Sequence, residues 1–192
     1  MSKRKLILIR HGEINSNLKQ IYSGRSNEPL NARGIKQSKL LAKKLSIFKI
    51  GTILTSPLKR ALMTACEIKK TQDCALIVSE YFNELKMGPW EGKSEKEIKE
   101  NFHEEWRLWN NFPSKLHLKE RETLGMLKER VNKGLSKFIN KTESSECLCI
   151  VSHVAILRLI ILQIEKKSLN LYRKINVLNA KPYVFNLDDL KL

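Results

Sequence analysis

Near its amino terminus, the chain places four apolar residues directly before a charged segment. The apolar residues are Leu6-Ile7-Leu8-Ile9, and the segment that follows is Arg10-His11-Gly12-Glu13. A continuous, partly β-branched apolar run is typical of a strand that is buried on both faces of a parallel sheet. In open α/β sheets, ligands bind beyond the carboxyl ends of the strands. The opening of the sequence therefore predicts a buried parallel strand that ends at a functional site.

The residues at the end of this strand suit an anionic ligand. Arg10 offers a planar set of donors that matches a phosphate or a carboxylate, and His11 offers a neutral nitrogen nucleophile near pH 7. Gly12 would let the backbone approach a bound group. The tripeptide alone is a weak indication, because a histidine after a strand is often structural. It favours attack on a phosphate-like centre only if other parts of the chain supply matching residues.

A second junction of this kind lies late in the chain. The run Cys147-Leu148-Cys149-Ile150-Val151-Ser152 predicts another buried strand, and His153 follows it before an apolar helical segment at 154–160. Two of the four histidines therefore stand where a strand ends and a helix begins. The other two, His103 and His117, have no comparable setting and are predicted to lie at the surface.

Strand and helix patterns alternate between the two junctions. Strands are predicted at 52–55 and 75–78, and helices are predicted after Asn31, after Ser56-Pro57, over 96–109 and over 123–140. This alternation favours a three-layer α/β/α sandwich with a mostly parallel central sheet. Right-handed crossovers gather the carboxyl ends of the strands at one edge. The side chains expected to converge there are His11, Arg60, Glu84 and His153.

Arg60 and Glu84 each follow a predicted strand. Ser56 is predicted to cap a helix whose first residue is Pro57, which places Arg60 in the first turn. Backbone N–H groups and the helix dipole favour anions at that end of a helix. Glu84 follows a predicted strand and is a candidate proton donor. An ordinary exposed arginine and a solvated acid are the alternative interpretations.

Composition limits the class of protein. With 192 residues and 42% hydrophobic content, one domain over residues 1–192 is expected. No apolar run approaches the roughly 20 residues that cross a bilayer, and the first residues lack a secretory pattern. We therefore expect a cytoplasmic protein without membrane contact.

The four cysteines lack the spacing of a zinc site and are predicted to be small buried hydrophobic residues. A homodimer stays open, because the sequence is silent on oligomeric state.

The net charge of +16 raises the question of nucleic-acid binding. The lysines are scattered along the whole chain, however, and form neither a tail nor a stripe. A general lysine-rich composition is the favoured interpretation, because charge runs are usually solvated faces. We therefore expect no nucleic-acid partner. A positive field would still raise the rate at which anionic substrates are encountered.

Five motifs stand in order between Ile7 and about Ile160, and together they resemble the histidine phosphatase superfamily, the phosphoglycerate mutase-like group. Within that group the chain looks most like the small bacterial α-ribazole phosphatases. The motifs are Arg10-His11-Gly12-Glu13 with Asn17; Ser23-Gly24 with Pro29-Leu30 and Gly34; Ser56-Pro57 with Arg60 and Thr64-Ala65; Glu84 with Trp90-Glu91-Gly92; and Ser152-His153 with Arg158.

The resemblance implies a two-step phosphoryl transfer to and from a histidine. His11 would attack phosphorus, Arg10 and Arg60 would hold the phosphate oxygens, and His153 would complete the pocket. Glu84 would protonate the leaving group and then accept a proton from water. Further phosphate-binding positions implied by the resemblance are Asn17, Ser23 and Gly24. The implied substrate is a small phosphate ester, of which α-ribazole 5′-phosphate is one candidate, and neither a metal nor another cofactor is implied.

The chain also departs from the pattern of the family. The departures are Ile14 in place of threonine, Asn27 in place of an acid, Arg121-Glu122-Thr123 in place of a Gly-Glu-Ser type segment, and Val154-Ala155 in place of glycines. The longer insertion that mutases carry after the acid is missing, which favours a phosphatase over a mutase. A phosphate-binding protein with little turnover is a further alternative. A helical lid at about 90–123 is expected to determine the substrate.

Overall fold

A mostly parallel sheet forms the centre of the computed structural model, which describes residues 4–139 and 146–192. Within these residues the strands are β1 (Lys5–Arg10), β2 (Ile50–Thr55), β3 (Ala75–Val78), β4 (Cys147–Ser152) and β5 (Pro182–Asn186). Their order across the sheet is β3-β2-β4-β1-β5. The neighbours among β1 to β4 pair in parallel, whereas β5 runs antiparallel to β1. The predicted α/β class and mostly parallel sheet are confirmed.

Helices connect the strands, and α2, α4 and α6 begin at a side-chain cap. The described helices are α1 (Asn15–Leu18), α2 (Ala32–Leu45), α3 (Lys59–Lys69), α4 (Glu95–Asn101), α5 (His103–Asn111), α6 (Leu124–Phe138) and α7 (Val154–Ile164). The side chain of Asn31 accepts a hydrogen bond from the N–H of Gly34, and Ser94 forms a capping box with Glu97. The predicted cap of α2 and the predicted capping box of α4 are therefore confirmed.

The sheet separates two apolar cores, because successive side chains of a strand point to opposite faces. Leu6 and Leu8 of β1 belong to the larger core, which contains the buried faces of α6 and α7 and the tryptophans of residues 90–109. Ile7 and Ile9 belong to the second core, which is closed by α2 and α3. All four side chains are fully buried. Helices on both faces of the sheet make the predicted three-layer sandwich.

One local prediction is wrong, and the error has a physical reason. Helix α3 begins at Lys59 with Leu58 at the cap position, two residues later than predicted. The Ser56 hydroxyl accepts a hydrogen bond from the N–H of Leu58 and donates one to the Asn83 side chain, so it closes a turn before the helix. The segment 96–109 is largely helical, as predicted, but it is divided between α4 and α5 because the backbone leaves the helical region at Phe102.

Surface and core placements agree with several sequence predictions. His103 and His117 are exposed. Cys74, Cys147 and Cys149 are buried, Cys66 is half-buried, and all four thiols are free. The predicted carboxyl-terminal residue of helix 123–140, Asn140, lies outside the described residues. In the described part of the chain, no helix combines the length and apolar character needed to cross a membrane.

Candidate active site

The two strand-to-helix histidines are neighbours because their strands are neighbours. Arg10 of β1 is paired in register with Ser152 of β4, and each is followed by its histidine. The backbone N–H of His11 donates to the carbonyl oxygen of Ser152 at 2.9 Å. The two imidazole rings lie with centroids 5.2 Å apart and planes at 62°. The parallel register therefore places His11 and His153 at one point on the sheet edge.

The ring of His11 is buried and held in one tautomer. Its Nδ1 lies 2.7 Å from the carbonyl oxygen of Gly12. A carbonyl oxygen only accepts hydrogen bonds, so Nδ1 carries the hydrogen and Nε2 of the neutral ring carries the lone pair. Burial lowers the pKa of His11 well below its usual value, and the positive charges of Arg60 and Arg10 lower it further. The ring is therefore a neutral nitrogen nucleophile near pH 7.

The guanidinium of Arg60 is fully buried at the start of α3 and is anchored by the preceding loop. Its two terminal nitrogens donate to the carbonyl oxygens of Ser26 at 2.6 Å and Gly24 at 2.7 Å. Its Nε is buried without a partner in the described residues. These contacts fix the loop that carries Ser23 and Gly24 against the cavity and hold the charge of Arg60 in place.

Arg10 presents the second guanidinium of this region. It donates to the carbonyl oxygen of Val177 at 3.0 Å, and its buried Nε also has no partner among the described residues. Arg10 and Arg60 line the same cavity as His11. Unsatisfied buried donors are costly unless a ligand accepts from them. The two guanidiniums can therefore donate hydrogen bonds to the oxygens of an anion.

The carboxyl group of Glu84 is buried in the same cavity. One carboxylate oxygen accepts a hydrogen bond from the N–H of Leu85 at 2.8 Å. Burial raises the pKa of Glu84 above its ordinary value, while the hydrogen bond and the charges of Arg60 and Arg10 oppose the rise. A carboxyl group with a raised pKa can both donate and accept a proton in the accessible pH range.

The segment that precedes Glu84 is tied to three other elements. The Ser56 hydroxyl donates to Oδ1 of Asn83 at 2.7 Å, and the Ser152 hydroxyl donates to the carbonyl oxygen of Phe82 at 2.7 Å. From α6, the guanidinium of Arg130 donates to the carbonyl oxygens of Tyr81 and Asn83 at 2.7 and 3.1 Å. These contacts set the position of the Glu84 carboxyl relative to the sheet edge.

His153 is fully buried against the ring of His11. Neither of its ring nitrogens has a hydrogen-bond partner in the described residues. Burial lowers the pKa of His153 well below its usual value, and the charges of Arg60 and Arg10 add to this effect. Its backbone stands at the cap position of α7, where helix dipoles favour anions. The neutral ring keeps one N–H donor beside His11, although His153 itself is not among the residues that line the cavity.

The three further predicted phosphate-binding residues line the same cavity, whose volume is about 400 Å³. Oδ1 of Asn17 accepts from the N–H of Ile14 at 3.2 Å and from Nδ2 of Asn179 at 3.1 Å. Gly24 has φ of +50°, and a Cβ there would collide with the Glu91 carboxylate. The left-handed backbone of the loop therefore favours glycine at this position.

The comparison with known families agrees with this arrangement. The model of the family described as "Histidine phosphatase superfamily (branch 1)" matches residues 6–191, nearly the whole chain. The chain belongs to the histidine phosphatase superfamily. Members of this superfamily include phosphatases, so the motif resemblance is confirmed at the level of family and general activity.

Individual relatives cover most of the chain. Phosphoserine phosphatase 1 of Hydrogenobacter thermophilus is 35% identical over 154 residues, which are 80% of this chain and 72% of that protein. The adenosylcobalamin/α-ribazole phosphatase of Escherichia coli is 28% identical over 157 residues, 82% of this chain and 77% of that protein. The crystal structure of the α-ribazole phosphatase from Shigella flexneri superposes with a TM-score of 0.80 at 26% identity, covering 94% and 89%.

Several residues that line the cavity of this histidine phosphatase were not predicted from the sequence. They include Trp109, Tyr172, Arg173 and Asn179. Nδ2 of Asn179 donates to the carbonyl oxygen of His11 at 2.9 Å as well as to Asn17. Residues 172–179 reach the site because β5 returns antiparallel along β1. The segment carries no periodic pattern, so the sequence holds no signal for this placement.

The departures from the family pattern have structural consequences. Oδ1 of Asn27 accepts the N–H of Lys59 at 2.8 Å, so the amide caps α3 as a carboxylate would. Arg121 is buried, and its guanidinium lies 4.2 Å from the ring centre of Trp109 and 5.2 Å from that of Trp90. Burial lowers the pKa of Arg121 to about 10. Arg121 therefore stacks against one side of the cavity, the cluster of Trp90, Trp106, Trp109 and Tyr172, which we call the aromatic wall.

Gly12 has a packing role that the sequence did not predict. A Cβ at Gly12 would lie 2.6 Å from the carbonyl oxygen of Gly34 and 2.9 Å from Oγ of Ser38. The missing side chain therefore lets α2 pack against the end of β1, and the predicted approach of a bound group to this backbone stays a prediction. The N–H of Gly12 donates to the Thr64 hydroxyl of α3 at 3.0 Å, which fixes the same junction.

Proposed function

We propose that this protein is a phosphomonoesterase that forms a phosphohistidine intermediate on His11, without a metal or another cofactor. One observation carries the proposal. The ring of His11 is neutral with its lone pair on Nε2, and it shares one cavity with two guanidiniums and with a carboxyl group of raised pKa. This combination supplies a nucleophile, charge neutralisation and a proton donor, which are the needs of phosphoryl transfer.

In the first step, Nε2 of His11 attacks the phosphorus of the ester. A nitrogen–phosphorus bond forms while the bond from phosphorus to the ester oxygen breaks. Glu84 gives its proton to the departing alkoxide, which leaves as the alcohol. Arg10 and Arg60 balance the charge on the phosphoryl oxygens, and the N–H of His153 is a further donor to them.

In the second step, water replaces the histidine. The carboxylate of Glu84 accepts a proton from a water molecule as its oxygen attacks phosphorus. The nitrogen–phosphorus bond breaks, inorganic phosphate is released, and His11 returns to its neutral form. The hydrogen bond from Nδ1 to Gly12 holds the ring in place through both steps.

The likeness to named relatives suggests substrates but does not choose between them. Phosphoserine and α-ribazole 5′-phosphate are the candidates that follow from the relatives' names. A lid at about 90–123 is part of the proposal, and it is supported by α4, α5 and the burial of Trp90, Trp106 and Trp109 among them. A cytoplasmic location, a single domain and the absence of a nucleic-acid partner remain predictions.

Hydrolysis of p-nitrophenyl phosphate in the presence of a chelator tests the proposal directly. The wild-type protein should release nitrophenolate, and His11→Ala should not. His117→Ala is the matched control, because His117 is exposed and does not line the cavity. Rapid quenching with ³²P-labelled ester should leave a label that is stable to base and lost in acid. Activity that survives in His11→Ala, or that requires an added divalent ion, would contradict the mechanism.

A further inference from the structure

The cavity contains more positive charge than a phosphate monoester needs. The arginines that line it are Arg10, Arg60, Arg158 and Arg173, and the acidic side chains that line it are Glu84 and Glu95. Glu95 is already paired with Lys99 at 3.0 Å. A monoester dianion at Arg10 and Arg60 therefore leaves positive charge in the cavity unbalanced.

Arg173 has fewer hydrogen-bond partners than the other three arginines. Arg10, Arg60 and Arg158 each donate to a backbone carbonyl oxygen, whereas among the described residues Arg173 donates only to a hydroxyl. No carboxylate of the described residues lies within ion-pair distance of its guanidinium. The guanidinium lies over the Trp106 ring at 4.6 Å and 5.9 Å from the centre of Trp109. It donates weakly to the Tyr22 hydroxyl oxygen at 3.4 Å. The stacking fixes its plane while several N–H groups stay available.

Arg173 contacts different residues from Arg10 and Arg60. Arg10 and Arg60 are the cations that lower the pKa of His11, and the charge of Arg158 lowers the pKa of Arg10. The half-buried Arg173 instead contacts the aromatic wall, where the buried Arg121 adds a second cation over Trp109. The wall thus holds two cations over one indole ring, an arrangement that an anionic ligand group would stabilise.

We propose that Arg173 determines specificity by binding a carboxylate of the substrate, so that the enzyme prefers phosphate monoesters that carry a carboxylate. This inference rests on the proposed function. A planar guanidinium pairs with a carboxylate through two parallel hydrogen bonds. The Tyr22 hydroxyl accepts from Arg173, so its own hydrogen is free to donate to the same carboxylate. The assignment favours phosphorylated hydroxy or amino acids over α-ribazole 5′-phosphate, which has no carboxylate.

Two matched esters test the carboxylate preference. O-phosphoserine and O-phosphoethanolamine differ by the carboxylate, and the wild-type enzyme should show a kcat/KM for O-phosphoserine that is about tenfold higher or more, the range expected for a charge-assisted hydrogen bond. Arg173→Met should reduce this ratio to near one, chiefly by raising KM for O-phosphoserine. Arg173→Lys should retain part of the ratio, because it keeps the charge without the planar geometry.

Lys174→Met is the matched control, because it removes one positive charge from the neighbouring exposed residue, which does not line the cavity. This variant should keep the wild-type ratio. A wild-type ratio near one, or an Arg173→Met variant that loses the same factor on both esters, would overturn the inference.

Binding measurements separate this inference from the proposed function. Calorimetric titration of His11→Ala, which cannot form the phosphohistidine, should show O-phosphoserine binding about tenfold more tightly than O-phosphoethanolamine. Equal binding would overturn the role of Arg173. If wild-type protein hydrolysed none of the esters and no aryl phosphate, the proposed catalysis would fail, while a difference in binding would still support carboxylate recognition.

Discussion

The carboxyl group of Glu84 should matter most when the leaving group needs a proton. For an alkyl phosphate, Glu84→Gln should lower kcat by about two to four powers of ten, the usual range for a positioned general acid. For p-nitrophenyl phosphate the loss should be much smaller, because nitrophenolate leaves without protonation. Steady-state kinetics on both esters measure the difference. Equal losses would mean that Glu84 binds or positions the substrate without transferring a proton.

The pKa shifts of the same residues predict the pH dependence of kcat/KM. The first step needs Glu84 protonated, so the rate should fall as the pH rises through its raised pKa. His11 must be neutral. Because its pKa is lowered well below 6.5, protonation of the ring should not limit the rate until the pH falls to this lowered pKa. Glu84→Gln has no titrating carboxyl group, so its profile should lose the decline on the alkaline side. A decline that persists in this variant would assign it to another group.

At the scale of elements, the contact between α2 and β1 depends on a glycine. A Cβ at Gly34 would overlap the backbone oxygen of Glu13, so Gly34→Ala should force the helix away from the strand end. We expect a loss of about 1–3 kcal/mol or more in the free energy of unfolding, measured by urea denaturation. Gly125→Ala is the matched control in α6, where the nearest atom is 3.7 Å away. That variant should gain about 0.5 kcal/mol from helix propensity, and a similar loss in both variants would contradict the packing argument.

The link between α6 and the Glu84 segment depends on one ion pair. Nε of Arg130 lies 2.8 Å and its terminal nitrogen 2.9 Å from the two carboxylate oxygens of Glu122, whose side chain is 9% exposed. Arg130→Met should cost up to about 3 kcal/mol in unfolding free energy, because it leaves the buried Glu122 carboxylate with only the more distant Arg25, at 3.6 Å, as a charged partner. It should also lower kcat, since Arg130 holds the backbone before Glu84.

Two further variants distinguish a loss of stability caused by the buried charge of Glu122 from a loss caused by packing. Adding Glu122→Gln to Arg130→Met should recover part of the stability, because the buried charge that has lost its nearest partner is then removed. Lys133→Met changes an exposed pair on the same helix and should alter stability little. If the double variant were no more stable than Arg130→Met alone, the loss would come from packing and not from the buried charge.

At the scale of the whole molecule, the net charge of +16 should accelerate the capture of anionic substrates. Because the Debye length falls from about 30 Å at 0.01 M salt to about 10 Å at 0.1 M, kcat/KM for a dianionic ester should decrease as potassium chloride is added. The decrease should lie mainly in KM, and sucrose at matched osmolality should not reproduce it. A kcat/KM that is independent of salt would show that this charge does not steer the substrate.

The sequence alone determined the parts of this protein that depend on near neighbours in the chain. A strand buried on both faces must be apolar throughout, so β1 and β4 and the histidines after them were visible as patterns. Caps such as Asn31 and Ser94 bond to an N–H three residues away, which makes them equally local. The ordered motifs were enough to recognise the family, and the comparisons confirm it.

Only the tertiary structure decided what depends on distant residues. Pairing of β5 with β1 brought Arg173 and Asn179 to the cavity that contains His11, which is more than 160 residues away in the chain, and no local pattern marks that return. The ionisation of His11, Glu84 and His153 follows from burial and from charges on other elements. These quantities are set by the distances between atoms in space, and a linear sequence does not contain those distances until the chain has folded.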